Sequence, residues 1–227
     1  MWVLTLYRST IGKKAIMAVT GLIMVAFVIG HMAGNLQVFI GPAKMNGYAA
    51  FLKSTGELLW LVRIGLLVAV LLHILMAWQL TRIKAGARPV DYVMRTPQAS
   101  TMASRTMRWG GVLLLVFIVF HILHFTTGTL FSYASRSDAQ YTGFSASDVY
   151  GNVISGFREP WVVGFYLVSM LFLLLHLFHG AWSSVRTLGL TKASPHPQHR
   201  RVATVIAVLV WLGFSAIPVA VFLGVIR

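Results

Sequence analysis

The chain has 227 residues, of which 57% are hydrophobic and 11% charged, with a formal net charge of +14 and no cysteine. Soluble domains carry about 25% charged residues, so this composition excludes an ordinary globule and points to lipid as the solvent. The missing cysteines exclude disulfides, C-x-x-C-H haem attachment, cysteine-held iron–sulfur clusters and thiol catalysis within this chain. The 5 acidic residues leave little for paired-carboxylate chemistry.

Five apolar runs follow in order, near 15–39, 58–80, 110–131, 161–182 and 202–226. Each has about 20 residues or more, enough to cross a hydrocarbon core of about 30 Å as a helix. Backbone facing lipid must satisfy its own hydrogen bonds, and no strand-like alternation competes, so the predicted fold is an all-α membrane protein. Helices are expected over about 13–39, 57–84, 106–131, 160–187 and 200–226, in a single transmembrane domain spanning 1–227. The first run is too long for a signal-peptide core, has no convincing cleavage site after it, and reads as a retained span. Pro218 falls inside the fifth run and is expected to bend it.

The basic residues are unevenly placed. Arg8, Lys13 and Lys14 precede the first span, and Arg82, Lys84, Arg88, Arg95, Arg105 and Arg108 lie around the second connection. Arg186, Lys192, Arg200 and Arg201 lie around the fourth connection, so 13 of 19 basic residues share one side with a single acid, Asp91. Glu57, Asp138, Asp148 and Glu159 fall on the other side, with Lys44, Lys53, Arg136, Arg158 and Arg227. An excess of Lys and Arg marks the cytoplasmic side, so the N-terminus is expected in the cytoplasm and the C-terminus outside. This pattern explains the charge without nucleic acid. It serves topology alone, or also docks anionic lipid or an acidic protein partner.

Of eight histidines, His196 and His199 read as ordinary residues of the fourth connection. The other six, His31, His73, His121, His124, His176 and His179, lie inside the apolar runs. One such residue is more often a hydrogen-bonded packing group than a ligand, but six in one small membrane chain point to function. His31 is 17 residues beyond Lys14 and His121 is 13 beyond Arg108, which puts both about 20–25 Å above the cytoplasmic edge. His73 is 16 residues beyond Glu57 and His176 is 16 beyond Pro160, so both lie about 24 Å in from the outer edge. The result is an outer layer and an inner layer, each with two imidazoles from facing helices. That is the donor set for axial ligation of a b haem, and two layers imply two haems in a bundle of the first four helices. Zinc instead wants its ligands around one point. The third and fourth spans each contain H-x-x-H, whose two members share a face, so spacing does not choose between them.

The segment GKKAIMAVTGLIMVAFVIGHMAGNLQVF, Gly12 to Phe39, resembles the first helix of a known family, the dihaem cytochrome b membrane anchors of succinate:quinone oxidoreductases. RIGLLVAVLLH ending at His73, FHILHF from Phe120 and HLFHGAWSSVRTLG from His176 resemble its other three ligand helices. The resemblance covers nearly the whole chain and is to the single-subunit, five-helix kind, which serves succinate dehydrogenases and fumarate reductases.

This resemblance implies one axial haem ligand on each of the first four helices. His31 and His73 carry over directly. His121 is implied as the first His of its pair, and His176 because the family's ligand stands 13 residues before a helix-ending glycine, here Gly189. The family also implies a flavoprotein subunit and an iron–sulfur subunit on the cytoplasmic face, and a quinone, menaquinone, as the electron partner in the cell's plasma membrane. Assembly into a higher oligomer stays open. This chain would be the quinone-reactive subunit, with no succinate-oxidising site of its own. Relatives that pass protons across the membrane carry a Glu two residues before the fourth ligand; Leu174 stands there in this chain, so that route is not expected.

His124 and His179 are expected near the haems as supporting groups rather than ligands. Arg63, 6 residues past Glu57 and so about 9 Å into the span, either pairs with a haem propionate or snorkels to the outer surface. Two other readings compete: a cytochrome b subunit of a membrane hydrogenase or formate dehydrogenase, and a non-haem transporter. Trp60, Trp109 and Trp161 lie near span ends, as interfacial anchors do.

Overall fold

The computed structural model describes residues 5, 7–87, 100–135, 143–191 and 198–227. Arg88, Asp91, Arg95, Arg136, Asp138, Lys192 and His196, which enter the readings above, lie outside these residues. The described residues form helices and no strand: α1 (Thr10–Asn35), α2 (Pro42–Ser54), α3 (Glu57–Gly86), α4 (Met102–His121), α5 (Phe131–Ala134), α6 (Val149–Phe157), α7 (Pro160–Thr187) and α8 (Gln198–Phe222). A 3₁₀ turn, Leu36–Phe39, extends α1, and a π turn, Ile122–Thr126, extends α4. Five of these stretches, built on α1, α3, α4, α7 and α8, are long and apolar enough to cross a membrane. The chain is a multi-pass membrane protein.

The span boundaries follow local chemistry. Ser9 caps α1 by accepting from the Gly12 amide at 2.9 Å, and Thr101 caps α4 by accepting from Ser104 at 3.2 Å. Pro42 and Pro160 stand at the first position of α2 and α7, where a missing N–H costs nothing. Gly189 ends α7 with φ of 72°, and Leu190 then donates back to the Val185 carbonyl at 3.1 Å.

The third and fifth spans differ most from the expectation. The third span starts earlier, at Met102, and stops being α-helical at His121, closing through the π turn before Gly128 reverses the chain with φ of 72°. The fifth span ends at Phe222 rather than near Ile226, because Gly224 adopts a positive φ. Pro218 lies buried inside α8, where it removes one intrahelical donor.

At the centre α7 packs against α1, α4 and α8, while α3 leans on α1. Only Ala69 and Met76 of α3 are buried; Leu61, Ile64, Leu67 and Leu71 point outward, an apolar surface suited to lipid. On the side opposite the N-terminal head, α2 and α6 close over the bundle. The connection before α7, polar in its first part, carries a helix that sequence reading missed. All but one residue of α6 is buried, including Ile154 and Phe157. Asp148 caps α6 at the Gly151 amide, and Asn46 of α2 bridges to it, donating to Asp148 at 2.9 Å and accepting from the Tyr150 amide at 2.9 Å. The Tyr150 hydroxyl donates to the Arg227 carbonyl, which ties the end of the chain to the same cap.

Candidate functional site

The six histidines of the spans fall at two levels, separated along α7 by the ten residues from Tyr166 to His176, about 15 Å of helix rise. At the level farther from the N-terminal head, His31 of α1 faces His121, the last residue of α4. Their ring centres are 5.8 Å apart and their planes 82° apart. Phe27 stacks on His31 at 5.2 Å, Phe214 of α8 lies 5.8 Å from it, and Phe117 stacks on His121 at 5.7 Å. The His121 Nδ1 meets the Tyr166 hydroxyl of α7 at 3.1 Å. Asn35 donates to the His31 carbonyl at 2.7 Å, and the same amide lies 3.3 Å from both imidazole nitrogens.

At the level nearer the head, His73 of α3 faces His176 of α7, with ring centres 6.2 Å apart and planes at 54°. The His73 Nδ1 lies 3.0 Å from the Met17 carbonyl and 3.3 Å from the Thr20 hydroxyl. A carbonyl only accepts, so this bond puts the proton on Nδ1 and leaves the Nε2 lone pair free. The His176 Nδ1 is buried with no hydrogen-bond partner. Gly21 of α1 lets His73 approach: a Cβ there would stand 3.3 Å from the imidazole Cε1 and 3.6 Å from Ser184 Oγ.

The remaining members of the H-x-x-H motifs sit differently from each other. His124 lies in the π turn, fully buried, with its Nε2 2.9 Å from Ser135 Oγ and its Nδ1 3.5 Å from the Tyr166 hydroxyl. Its ring stacks on Phe125 at 4.0 Å. His179 lies 5.6 Å from the Trp182 ring, with its Nδ1 buried and unpartnered. His199, read above as a loop residue, lies in the first turn of α8; its ring is 6.3 Å from Trp182, and Arg200 lies over the Phe178 and Trp182 rings at 5.5 and 5.8 Å. Arg63 is on the exposed face of α3, over the Trp60 ring at 5.1 Å, and is not brought to either histidine pair. Trp60, Trp109 and Trp161 are all exposed.

Sequence reading missed Tyr166, Ser135, Met17, Thr20 and Gly21 as groups that hold these imidazoles. A hydroxyl-bearing Tyr166 inside an apolar span was one available signal. The Met17 carbonyl, being backbone, left none.

Among the described residues no group of three or more His, Asp or Glu side chains is placed to hold a metal ion. The histidines converge in twos. Two imidazoles sharing one metal, each bonded at about 2 Å and with roughly 1.1 Å from nitrogen to ring centre, put their ring centres about 6.3 Å apart. Both observed separations are close to that figure. The donor set fits a metal whose other ligands come from a macrocycle.

Over 105 residues the chain is 26% identical to a protein named succinate dehydrogenase cytochrome b558 subunit from Bacillus subtilis (strain 168). The match covers 46% of this chain and spans 44% of that protein's length. No family model matches the chain, and no solved structure matches it. The chain is therefore distantly similar to a cytochrome b subunit of succinate dehydrogenase.

Proposed function

We propose that this protein is the membrane anchor and electron-transfer subunit of a succinate:quinone oxidoreductase of the plasma membrane, holding two b haems. The observation that carries the reading is the pairing of His31 with His121 and of His73 with His176, each across two spans and at separate levels. Haem, when bound, supplies reversible one-electron transfer at its iron.

The chain's own residues do the rest. His31 and His121 hold the iron of the outer layer, and His73 and His176 hold that of the inner layer. Met17 and Tyr166 orient one imidazole in each pair, and orienting partners of this kind fix the tautomer and tune the metal. Phe27, Phe117 and Phe214 exclude water around the outer pair. The basic side, with the N-terminus, faces the cytoplasm and receives the iron–sulfur subunit, to which the flavoprotein subunit is attached; the C-terminus lies outside. Menaquinone is the membrane partner.

The name of the Bacillus subtilis relative favours succinate dehydrogenase over a hydrogenase or formate dehydrogenase as the host complex. The paired imidazoles favour a cytochrome over a non-haem transporter. Purification from membranes under mild detergent tests both points. The expected product contains two b haems per copy of this chain by pyridine haemochrome assay, together with a flavin-bearing subunit. A colourless preparation contradicts the cytochrome reading, and co-purification with a hydrogenase or formate dehydrogenase subunit contradicts the choice of complex.

A further inference from the structure

The outer pair is attached to a longer line of side-chain polar atoms than the inner pair, whose His73 reaches only the Thr20 hydroxyl and backbone. From His121 Nδ1 the line runs 3.1 Å to the Tyr166 hydroxyl and 3.5 Å on to His124 Nδ1. From His124 Nε2 it runs 2.9 Å to Ser135 Oγ. Tyr166 is 6% exposed and His124 0%, so neither solvent nor headgroups compete for these groups. The Tyr166 ring is wedged among Phe117 at 5.0 Å and Phe157 at 4.9 Å, both edge to face, which fixes where its hydroxyl points. The π turn is the backbone feature that sets His124 between Tyr166 and Ser135, and such turns recur at functional sites.

Once His121 is a ligand through Nε2, one direction along the line gives every donor an acceptor. With Nε2 given to iron, Nδ1 keeps its proton and donates to the Tyr166 oxygen. The Tyr166 hydroxyl then donates to His124 Nδ1. That leaves the His124 proton on Nε2, 2.9 Å from Ser135 Oγ, with the Ala134 carbonyl as a further acceptor beside the ring. At the inner level, His73 Nδ1 meets the Met17 carbonyl at 3.0 Å and the Thr20 hydroxyl at 3.3 Å, Thr20 donates to the Ile16 carbonyl, and His176 Nδ1 has no partner, so among the described residues the side-chain line from that pair stops at one hydroxyl that is tied to backbone.

We propose that Tyr166 is the positioning residue of the outer haem site: it accepts from His121 Nδ1, and the His124–Ser135 extension holds its hydroxyl in that orientation. The inference rests on the reading of His121 as a ligand. An acceptor on Nδ1–H makes the imidazole a stronger donor and favours the oxidised iron. Removing the acceptor favours the reduced iron at the outer site alone.

The test is a redox titration of both haems in the intact complex carrying Tyr166→Phe, which keeps the ring and removes the hydroxyl. The ratio of reduced to oxidised iron at a fixed poise is expected to rise several-fold for one haem, the one that a His31→Ala protein loses. The other haem, which a His73→Ala protein loses, is expected to stay unmoved. Two haems with unchanged potentials, or a shift in the inner haem, overturns the inference and leaves the ligand reading standing. A His121→Ala protein that keeps both haems overturns the ligand reading and this inference with it. Where Tyr166→Phe does not assemble, His124→Ala serves: a smaller shift of the outer haem in the same direction supports the line, and no shift overturns it.

Discussion

Gly21 lies against the His73 imidazole, so close that a methyl group on Gly21 would stand 3.3 Å from the ring's Cε1. The contact crosses from α1 to α3, and the same ring is held by the Met17 carbonyl one turn earlier on α1. Glycine in a helix interior costs about 1 kcal/mol against alanine, so its presence in mid-span calls for a packing reason, and the imidazole supplies one.

Gly21→Val is therefore expected to push the His73 ring off Met17 and to spoil the inner site while leaving the outer one intact. Haem content should fall from two per chain towards one, with the remaining low-spin signal belonging to the outer site. Two unchanged haems would show that the close approach has no role in holding the ligand.

The pairing itself is testable by deletion. His73→Ala or His176→Ala should each remove one haem, and the same one, because the two rings face each other at 6.2 Å. His31→Ala or His121→Ala should each remove the other. Separate redox titrations identify the survivor. Loss of different haems from the His73 and His176 variants contradicts the two-layer arrangement.

Much of this arrangement was legible from spacing. Five long apolar runs leave helix as the only form that satisfies its backbone in lipid, so the span count followed from composition. Depth counting put His31 with His121 and His73 with His176 because neighbouring spans run in opposite directions. What spacing did not reveal was set by tertiary contacts. The π turn after His121 has no proline or other local mark, and it gives His124 a partner, Ser135, that a continuous α-helix would not specify. The buried helix α6 is only 9 residues long, too short to span, and its burial comes from α2, α7 and α8 packing around it. The depth of Arg63 in the sequence allows either a propionate or the surface; it lies over Trp60 because α3 turns that face outward.

Gly156 of α6 is expected to tolerate no side chain. A Cβ there would lie 2.7 Å from Phe125 Cζ and 2.9 Å from His124 Cε1, inside van der Waals contact with two stacked rings. Overpacking of this kind costs about 1–3 kcal/mol. Gly156→Ala should lower the thermal midpoint of the detergent-solubilised protein. An unchanged midpoint means the cap over the outer layer yields more readily than its packing indicates.

The distribution of charge predicts the topology. With 13 of 19 basic residues on the side of the N-terminal head, a reporter fused after Arg227 should be active outside the cytoplasm. One fused after Arg186 should be active inside. The opposite result at both positions means an inverted chain, and equal results mean a miscounted span.

His124→Ala and His179→Ala proteins should each retain two low-spin haems. Both ring nitrogens of His124 already have partners, Ser135 at 2.9 Å and Tyr166 at 3.5 Å, and the ring is stacked on Phe125 rather than facing His31. Truncation there should move the outer potential through Tyr166 without releasing iron. His179 has its Nδ1 buried and unpartnered, and its placement sets it apart from the ligand. Its ring lies against Trp182, while the imidazole that faces His73 is His176. Haem content and low-spin spectra of all four single variants decide the matter. If His124→Ala or His179→Ala loses a haem that His121→Ala or His176→Ala keeps, the ligand is the other member of that pair. The two levels would remain, because three residues shift a ligand only about 4.5 Å along the helix axis.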